Sequence, residues 1–225
     1  DGSLTYTGSS SGVYEFCLAI SVAETITKGE YVDLPRQFEH LSLLLCSSYL
    51  GANSDAIHTG WPNTWRRFRT AFEHVHERTG EWLWRPSVAL PDDPSTRLVK
   101  DGGIDFLVWK NMPDPRTGKL FLLGQCACGN DWDTKLNDID LKKVQQWFNY
   151  PMTRVEPVKA FTTPRHLIDA TIHEASTSAG LTFDRTRLTL LAEETPETTR
   201  KVREKMGEEL QRLAELGLGA SPDIR

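Results

Sequence analysis

The spacing of apolar residues predicts an alternation of helices and short strands in the first part of the chain. Apolar side chains recur every three or four positions there, which is typical of amphipathic helices, and Pro and Gly residues stand near the predicted ends. The pattern predicts three helices and one short strand, with the helices at 13–27, 35–50 and 62–80 and the strand at 56–58.

The pattern changes after residue 100. Two compact runs rich in Ile, Phe, Leu and Val are joined by a loop that contains Pro and Gly, which predicts two antiparallel strands. We expect these strands at 103–110 and 119–127, helices at 130–150, 166–179 and 199–216, and further strands at 158–162 and 181–191. The predicted fold class is therefore α/β, with a mixed central β-sheet flanked by helices and with N-terminal helical additions.

The predicted organisation has three parts: a flexible N-terminus at 1–12, an α/β domain at 13–194 that includes the helical segment 61–80, and a C-terminal amphipathic helix at 195–225. Segment 86–101, rich in Pro and Asp, reads as a linker within the domain. The last helix carries an apolar stripe that would also suit self-association or a protein partner, formed by Val202, Met206, Leu210 and Leu213.

Composition narrows the class of protein. The 225 residues contain no run that approaches the roughly 18 apolar residues of a membrane span, so no membrane interaction is expected. The four cysteines are too few and too scattered for a disulfide framework, and with no leader-like segment a cytoplasmic protein is expected. The net charge of -5 argues against non-specific binding of polyanions. However, the excess acid lies in residues 1–60, so the rest could carry a local basic groove.

Two polar residues mark the predicted strand pair as a candidate site. Asp105 comes at the start of an apolar strand, and Gln125 lies near the end of its partner. In an antiparallel pair these two positions meet at the same edge of the sheet, which brings two oxygen ligands together. Mg²⁺ needs few protein ligands, because waters and a substrate phosphate complete its shell. The sequence therefore predicts a Mg²⁺ (or Mn²⁺) site suited to phosphodiester hydrolysis.

These residues resemble the PD-(D/E)xK restriction-endonuclease-like nucleases, and the Gly-Gly-Ile-Asp segment that ends at Asp105 is most similar to their Mrr-like members. The family pattern is a helix with a Glu, a strand with an Asp, a strand with Glu or Gln followed two residues later by Lys, and then a helix. Glu39, Asp105 and Gln125 match the first three positions. Ala127 stands at the Lys position. In some family members the Lys has moved to the following helix, and Lys135 is placed for that.

The resemblance implies a restriction-endonuclease-like fold and a metal-dependent endonuclease of a bacterial defence or mobile-element system, with DNA as the first candidate substrate and RNA as the alternative. Asp105, Gln125 and the backbone carbonyl of Cys126 would then be metal ligands. Lys135 would orient water or stabilise the reacting phosphate, and Glu39 would bind a second metal ion or act through water. A homodimer and a protein partner or activator are compatible with this interpretation.

A cluster of arginines offers a phosphate-contacting face beside this site, formed by Arg66, Arg67, Arg69 and Arg85. A solvated helix face is the more common reason for such a run of arginines, and it is the preferred interpretation here.

Each site residue also has a structural interpretation. Asp105 could be a strand-entry residue, Gln125 an internal hydrogen-bonding group, and Lys135 and Glu39 surface charges. Ala127 at the Lys position favours a rival hypothesis, a catalytically inactive nuclease-fold domain that binds nucleic acid or scaffolds a partner protein. The two His and Cys pairs, His74-x-His76 and Cys126-x-Cys128, lie on different predicted elements, so their spacing gives little support to a zinc site.

Overall fold

The computed structural model describes residues 9–22, 32–60, 64–65, 67–85 and 102–215, with side chains to Glu208. The helices of this part of the chain are α1 (Val13–Val22), α2 (Leu34–Leu50), α3 (Phe68–Thr79), α4 (Leu141–Gln145), α5 (Asp169–Ala179), α6 (Arg185–Glu193) and α7 (Pro196–Glu215). The strands are β1 (Ser54–His58), β2 (Phe106–Lys110), β3 (Leu120–Cys126), β4 (Val158–Thr162) and β5 (Leu181–Phe183), and a 3₁₀ turn covers Trp132–Lys135.

The five strands form one mixed sheet in the order β1-β2-β3-β4-β5. The pairs β1–β2 and β2–β3 are antiparallel, whereas β3–β4 and β4–β5 are parallel. This confirms the predicted α/β class with a mixed sheet flanked by helices. Because β1, β3, β4 and β5 end where β2 begins, these five strand ends share one edge, which we call the carboxyl edge.

Helices cover both faces of the sheet because successive side chains of a strand point to opposite faces. Phe106 and Val108 pack with α1, α2, α6 and α7, whereas Leu107 and Trp109 pack with α3 and an aromatic cluster on the other face. Within the C-terminal helix, Val202 and Met206 are fully buried in the first of these cores. That part of the predicted stripe therefore contacts the protein itself, and the side chains of Leu210 and Leu213 lie outside the described residues.

Gly124 allows the strand pair to close at the carboxyl edge. It is paired with Phe106, and a Cβ at this position would overlap the Phe106 ring. Only glycine lets an aromatic ring lie directly across its backbone. The Phe106 ring therefore packs against the β3 backbone at Gly124, next in sequence to the two candidate ligands Asp105 and Gln125.

The predicted helix at 130–150 is wrong. The chain forms the 3₁₀ turn Trp132–Lys135 and then the short α4, so Lys135 lies in the turn and not on the predicted helix. Asp140 causes the restart, because its side chain accepts hydrogen bonds from the amides of Lys142 and Lys143 and so caps a new helix.

The predicted strand at 181–191 is correct only for its first three residues. β5 ends at Phe183, and the next residue, Asp184, accepts a hydrogen bond from the amide of Arg187 and begins α6. Leu188 and Ala192 are buried four positions apart, as expected for a helix. The alternation of Thr and Leu in this segment is typical of a strand and led to the wrong prediction.

Other boundaries also differ from the sequence prediction. The third helix begins at Phe68 rather than at Pro62, which lies outside the described residues together with 23–31 and the predicted linker 86–101. In the predicted flexible N-terminus, residues 1–8 are likewise not described, whereas Ser11 is buried and donates to Glu193. None of the described helices has the length and apolarity needed to cross a membrane.

Candidate functional site

Main-chain hydrogen bonds on both sides hold Asp105 at the carboxyl edge. Its amide donates to the carbonyl of Gly124 at 2.8 Å. Its carbonyl accepts from the amides of Thr59 at 2.8 Å and Gly60 at 2.9 Å. The backbone of Asp105 is therefore fixed between the end of β1 and the end of β3, whatever its side chain does.

The structure brings Asp105 and the end of β3 into direct contact, as the strand pairing predicts. The Phe106–Gly124 register places Asp105 opposite Gln125. The Asp105 carboxylate accepts a hydrogen bond from the amide of Cys126 at 2.7 Å. The three residues predicted to offer metal ligands thus lie together at the carboxyl edge.

Asp138 links Gln125 to Lys135, and sequence reasoning missed it. Gln125 is buried, and its Nε2 donates to Asp138 Oδ2 at 2.9 Å. Lys135 Nζ lies 3.8 Å from the same oxygen, and its side chain is 44% exposed. Gly103, with φ 75°, lets the Asp138 backbone pack against it. A Cβ at position 103 would lie 3.0 Å from the Asp138 carbonyl group. The predicted continuous helix hid this contact, which depends on the turn between Lys135 and α4.

Glu39 lies on α2 and forms a hydrogen bond with His58, which was not among the predicted site residues. His58 Nε2 lies 2.5 Å from Glu39 Oε2, and the ring of His40 packs 4.5 Å from the ring of His58. Burial lowers the pKa of His58 to about 4, and the positive charge of Arg36 adds to this effect. Burial likewise lowers the pKa of His40 to about 4, together with His58 and two basic side chains. Both imidazoles are therefore neutral at pH 7.

The two cysteines at this edge have raised thiol pKa values. Burial raises the thiol pKa of Cys126 and of Cys128 well above its usual range, and the carboxylates of Asp105 and Glu39 add to the effect in both cases. Without a bound metal ion these thiols are therefore protonated. Within the described residues, no group of three or more His, Cys, Asp and Glu side chains is arranged to hold a metal ion.

Oxygen donors also lie at this edge. The Asp105 and Glu39 carboxylates and the Gln125 amide belong to the hard ligands that Mg²⁺ and Mn²⁺ accept, and Mg²⁺ usually keeps several waters besides one or two protein carboxylates. A sparse oxygen set therefore fits such an ion better than it fits zinc.

Ala127 occupies an apolar position beside the site. It is buried in a small cluster with Phe161 and Ala179, and Trp132 and Leu136 pack against that cluster. A lysine ammonium is poorly accommodated in such surroundings. Arg165 brings a positive charge to the same edge, since its guanidinium donates to the carbonyl of Gly129 and to the side chain of Asn130.

The predicted arginine face is brought together only in part. Arg67 is exposed just before α3, and the next residue, Phe68, packs edge-on against Trp147 at 5.4 Å. Arg85 is also exposed, and its amide donates to the carbonyl of Trp147 at 2.9 Å. A Cβ at Gly102 would lie 2.5 Å from the Trp147 ring, so this corner adjoins the segment that leads to Asp105.

Arg69 is paired with a residue of its own helix. Arg69 forms an ion pair with Glu73 at 2.7 Å on α3, and Arg66 lies outside the described residues.

Comparisons of the chain with protein-family models, with curated proteins and with solved structures find no match.

Proposed function

We propose that the chain is a metal-dependent nuclease that hydrolyses phosphodiester bonds, as an endonuclease acting on DNA rather than RNA. The observation that carries the proposal is the contact between Asp105 and the end of β3, which places a carboxylate and the Gln125 amide at one sheet edge. Glu39 on a preceding helix agrees with the first position of the PD-(D/E)xK pattern, which supports the same assignment.

The residues have distinct roles in this proposal. Asp105 and Gln125, with the Cys126 carbonyl, would hold Mg²⁺ or Mn²⁺, and Glu39 would hold a second ion or orient water. When bound, the metal supplies a water of lowered pKa and neutralises charge on the phosphate. Lys135 provides a positive charge beside Asp138 for the reacting phosphate. Arg67 and Arg85 contact the nucleic-acid backbone beyond it.

A cleavage assay tests the proposal directly. Incubation of the purified full chain with plasmid DNA and Mg²⁺ or Mn²⁺ is expected to convert supercoiled plasmid to nicked and linear forms. EDTA should abolish the conversion, since the attacking water then keeps its ordinary pKa. A parallel incubation with single-stranded RNA distinguishes the substrates. Cleavage that persists in EDTA would contradict a metal-dependent mechanism.

Replacement of Lys135 by Ala is expected to lower the cleavage rate about 100-fold, because one positive charge that stabilises the reacting phosphate is lost. DNA binding should change by less than about threefold, since one exposed cation contributes little to total affinity. Rates under single turnover and fluorescence anisotropy of labelled DNA measure the two effects. Lys142→Ala, on the exposed side of α4, is the matched control. A fully active Lys135→Ala variant would remove Lys135 from the mechanism.

The second candidate function is a nuclease-fold domain that no longer cuts and instead binds nucleic acid or scaffolds a protein. The apolar packing around Ala127 favours it, because the position of the family lysine cannot hold a charge without disrupting that cluster. DNA binding without cleavage under every metal condition would support this candidate over the first.

The proposed setting is the cytoplasm, in a bacterial defence or mobile-element system. Cys17, Cys46, Cys126 and Cys128 are all free thiols, which fits a reducing compartment. A homodimer or a protein activator would then control when the site cuts DNA.

A further inference from the structure

We infer that His58 is a positioning residue, whose imidazole holds the Glu39 carboxylate in a fixed place next to the Asp105 backbone. The inference rests on the proposed function, because it assigns to His58 the preparation of that same site. It adds a residue that the resemblance to PD-(D/E)xK nucleases does not supply.

The first support is the hydrogen bond itself. His58 Nε2 lies 2.5 Å from Glu39 Oε2, within hydrogen-bonding distance. The two side chains are only 11% and 17% exposed, so water competes little for either partner. The Glu39 side chain has three rotatable bonds, and the His58 side chain has two. The hydrogen bond between them therefore restricts the rotamers of Glu39 before a metal ion binds.

The second support is that His58 is itself fixed. It is the last residue of β1 and is paired with Phe106 in the sheet. The ring of His40, the neighbour of Glu39 in α2, packs against the ring of His58 with a tilt of 37°. Helix α2 therefore provides both the carboxylate that His58 contacts and the His40 ring that packs against the imidazole.

The third support is the packing of Gly60. A Cβ at this position would lie 2.5 Å from Glu39 Oε2 and 3.1 Å from His58 Nε2, so a side chain here would displace the pair. The amides of Thr59 and Gly60 both donate to the Asp105 carbonyl. The segment 58–60 therefore contacts the Glu39 carboxylate through His58 and the Asp105 main chain through Thr59 and Gly60, so it connects the two residues.

Metal affinity of the full chain without DNA tests the inference. Titration with Mn²⁺, followed by the EPR signal of the free ion, gives the affinity of wild type, His58→Ala, His58→Gln and His58→Asn. The affinity of His58→Ala should fall about 10-fold, as is typical when the hydrogen-bond partner of a metal ligand is removed. His58→Gln should stay within about threefold of wild type, since its longer amide can still donate to Glu39, whereas the shorter Asn should resemble Ala. His173→Ala, an exposed histidine on α5, is the control.

If His58→Ala fails to fold, the Gln and Asn variants still test whether His58 positions Glu39. Both are neutral amides, so a purely structural role predicts similar metal affinity for the two, and that result would overturn the inference. The inference is also overturned if the wild-type chain cleaves DNA with Mn²⁺ and all three variants bind Mn²⁺ as tightly as wild type does. The proposed function would then still stand. Wild-type chain that neither binds Mn²⁺ nor cleaves DNA overturns both.

Discussion

Replacement of Asp105 by Asn will reduce metal-dependent DNA cleavage at least about 1000-fold, a loss of about 4 kcal/mol of transition-state stabilisation. The reason is the loss of a negative charge at the site, because a neutral amide oxygen is a much weaker ligand for Mg²⁺. The fold should survive, since the hydrogen bonds to Gly124, Thr59 and Gly60 all involve the main chain. The side-chain oxygen of Asn can still accept from the amide of Cys126.

Single-turnover cleavage of plasmid DNA measures the effect of Asp105→Asn on the chemical step, and urea unfolding measures its effect on stability. Asp133→Asn is the matched control, because Asp133 is an exposed carboxylate in the nearby 3₁₀ turn. We expect the control to cleave at the wild-type rate. If Asp105→Asn cleaves as fast as wild type, Asp105 is not a metal ligand and the site lies elsewhere.

Replacement of Glu81 by Ala will lower the free energy of unfolding by about 3 to 5 kcal/mol. Glu81 is buried, and its carboxylate accepts hydrogen bonds from three backbone amides: Gly118 at 3.1 Å, Lys119 at 3.1 Å and Arg154 at 2.6 Å. Alanine leaves all three donors without this acceptor. The loop between β2 and β3 then loses its attachment to the end of α3.

Urea unfolding at pH 7 checks this expectation. Glu81→Gln should lose less than Glu81→Ala, because one oxygen remains to accept while the new NH₂ group faces a backbone donor. Glu77→Ala, on the exposed side of α3, is the control and should change stability by less than about 0.5 kcal/mol. A loss below about 1 kcal/mol for Glu81→Ala would show that water replaces the carboxylate, contrary to its burial.

The parts of the fold that the sequence predicted correctly are those whose pattern is local. The spacing of Phe38, Leu41 and Leu45 predicts α2, and these side chains are fully buried. The two apolar runs predict the antiparallel pair β2–β3, which the structure confirms. Both patterns follow from the alternation of side chains within a single element.

The predictions failed where a side chain or a distant strand interrupts the pattern. Asp140 and Asp184 each cap a helix with their carboxylates, and local hydrogen bonds of this kind compete with the regular backbone pattern. In addition, Phe148 pairs with Trp84 in an isolated bridge just after α4, a long-range contact that apolar spacing cannot reveal.

The candidate site also contains residues that the sequence could place and residues that it could not. Asp105 and Gln125 could be placed together from the strand order alone. The roles of His58 and Asp138 could not, because each depends on one rotamer meeting a residue from another element. A lone histidine at a strand end and an aspartate in a predicted helix carry no signal of such contacts.

The hydrogen bonds at the end of β1 also determine how the site assembles. Glu39 and His58 are 19 positions apart, and Asp105 and Cys126 are 21 apart, so each half of the site has low contact order. The halves meet where the Thr59 hydroxyl donates to the Ile104 carbonyl, a contact that closes a loop of 45 positions. Closing this loop has the larger entropic cost. Each half therefore joins segments that are close in sequence, and the pairing of β1 with β2 connects the two halves.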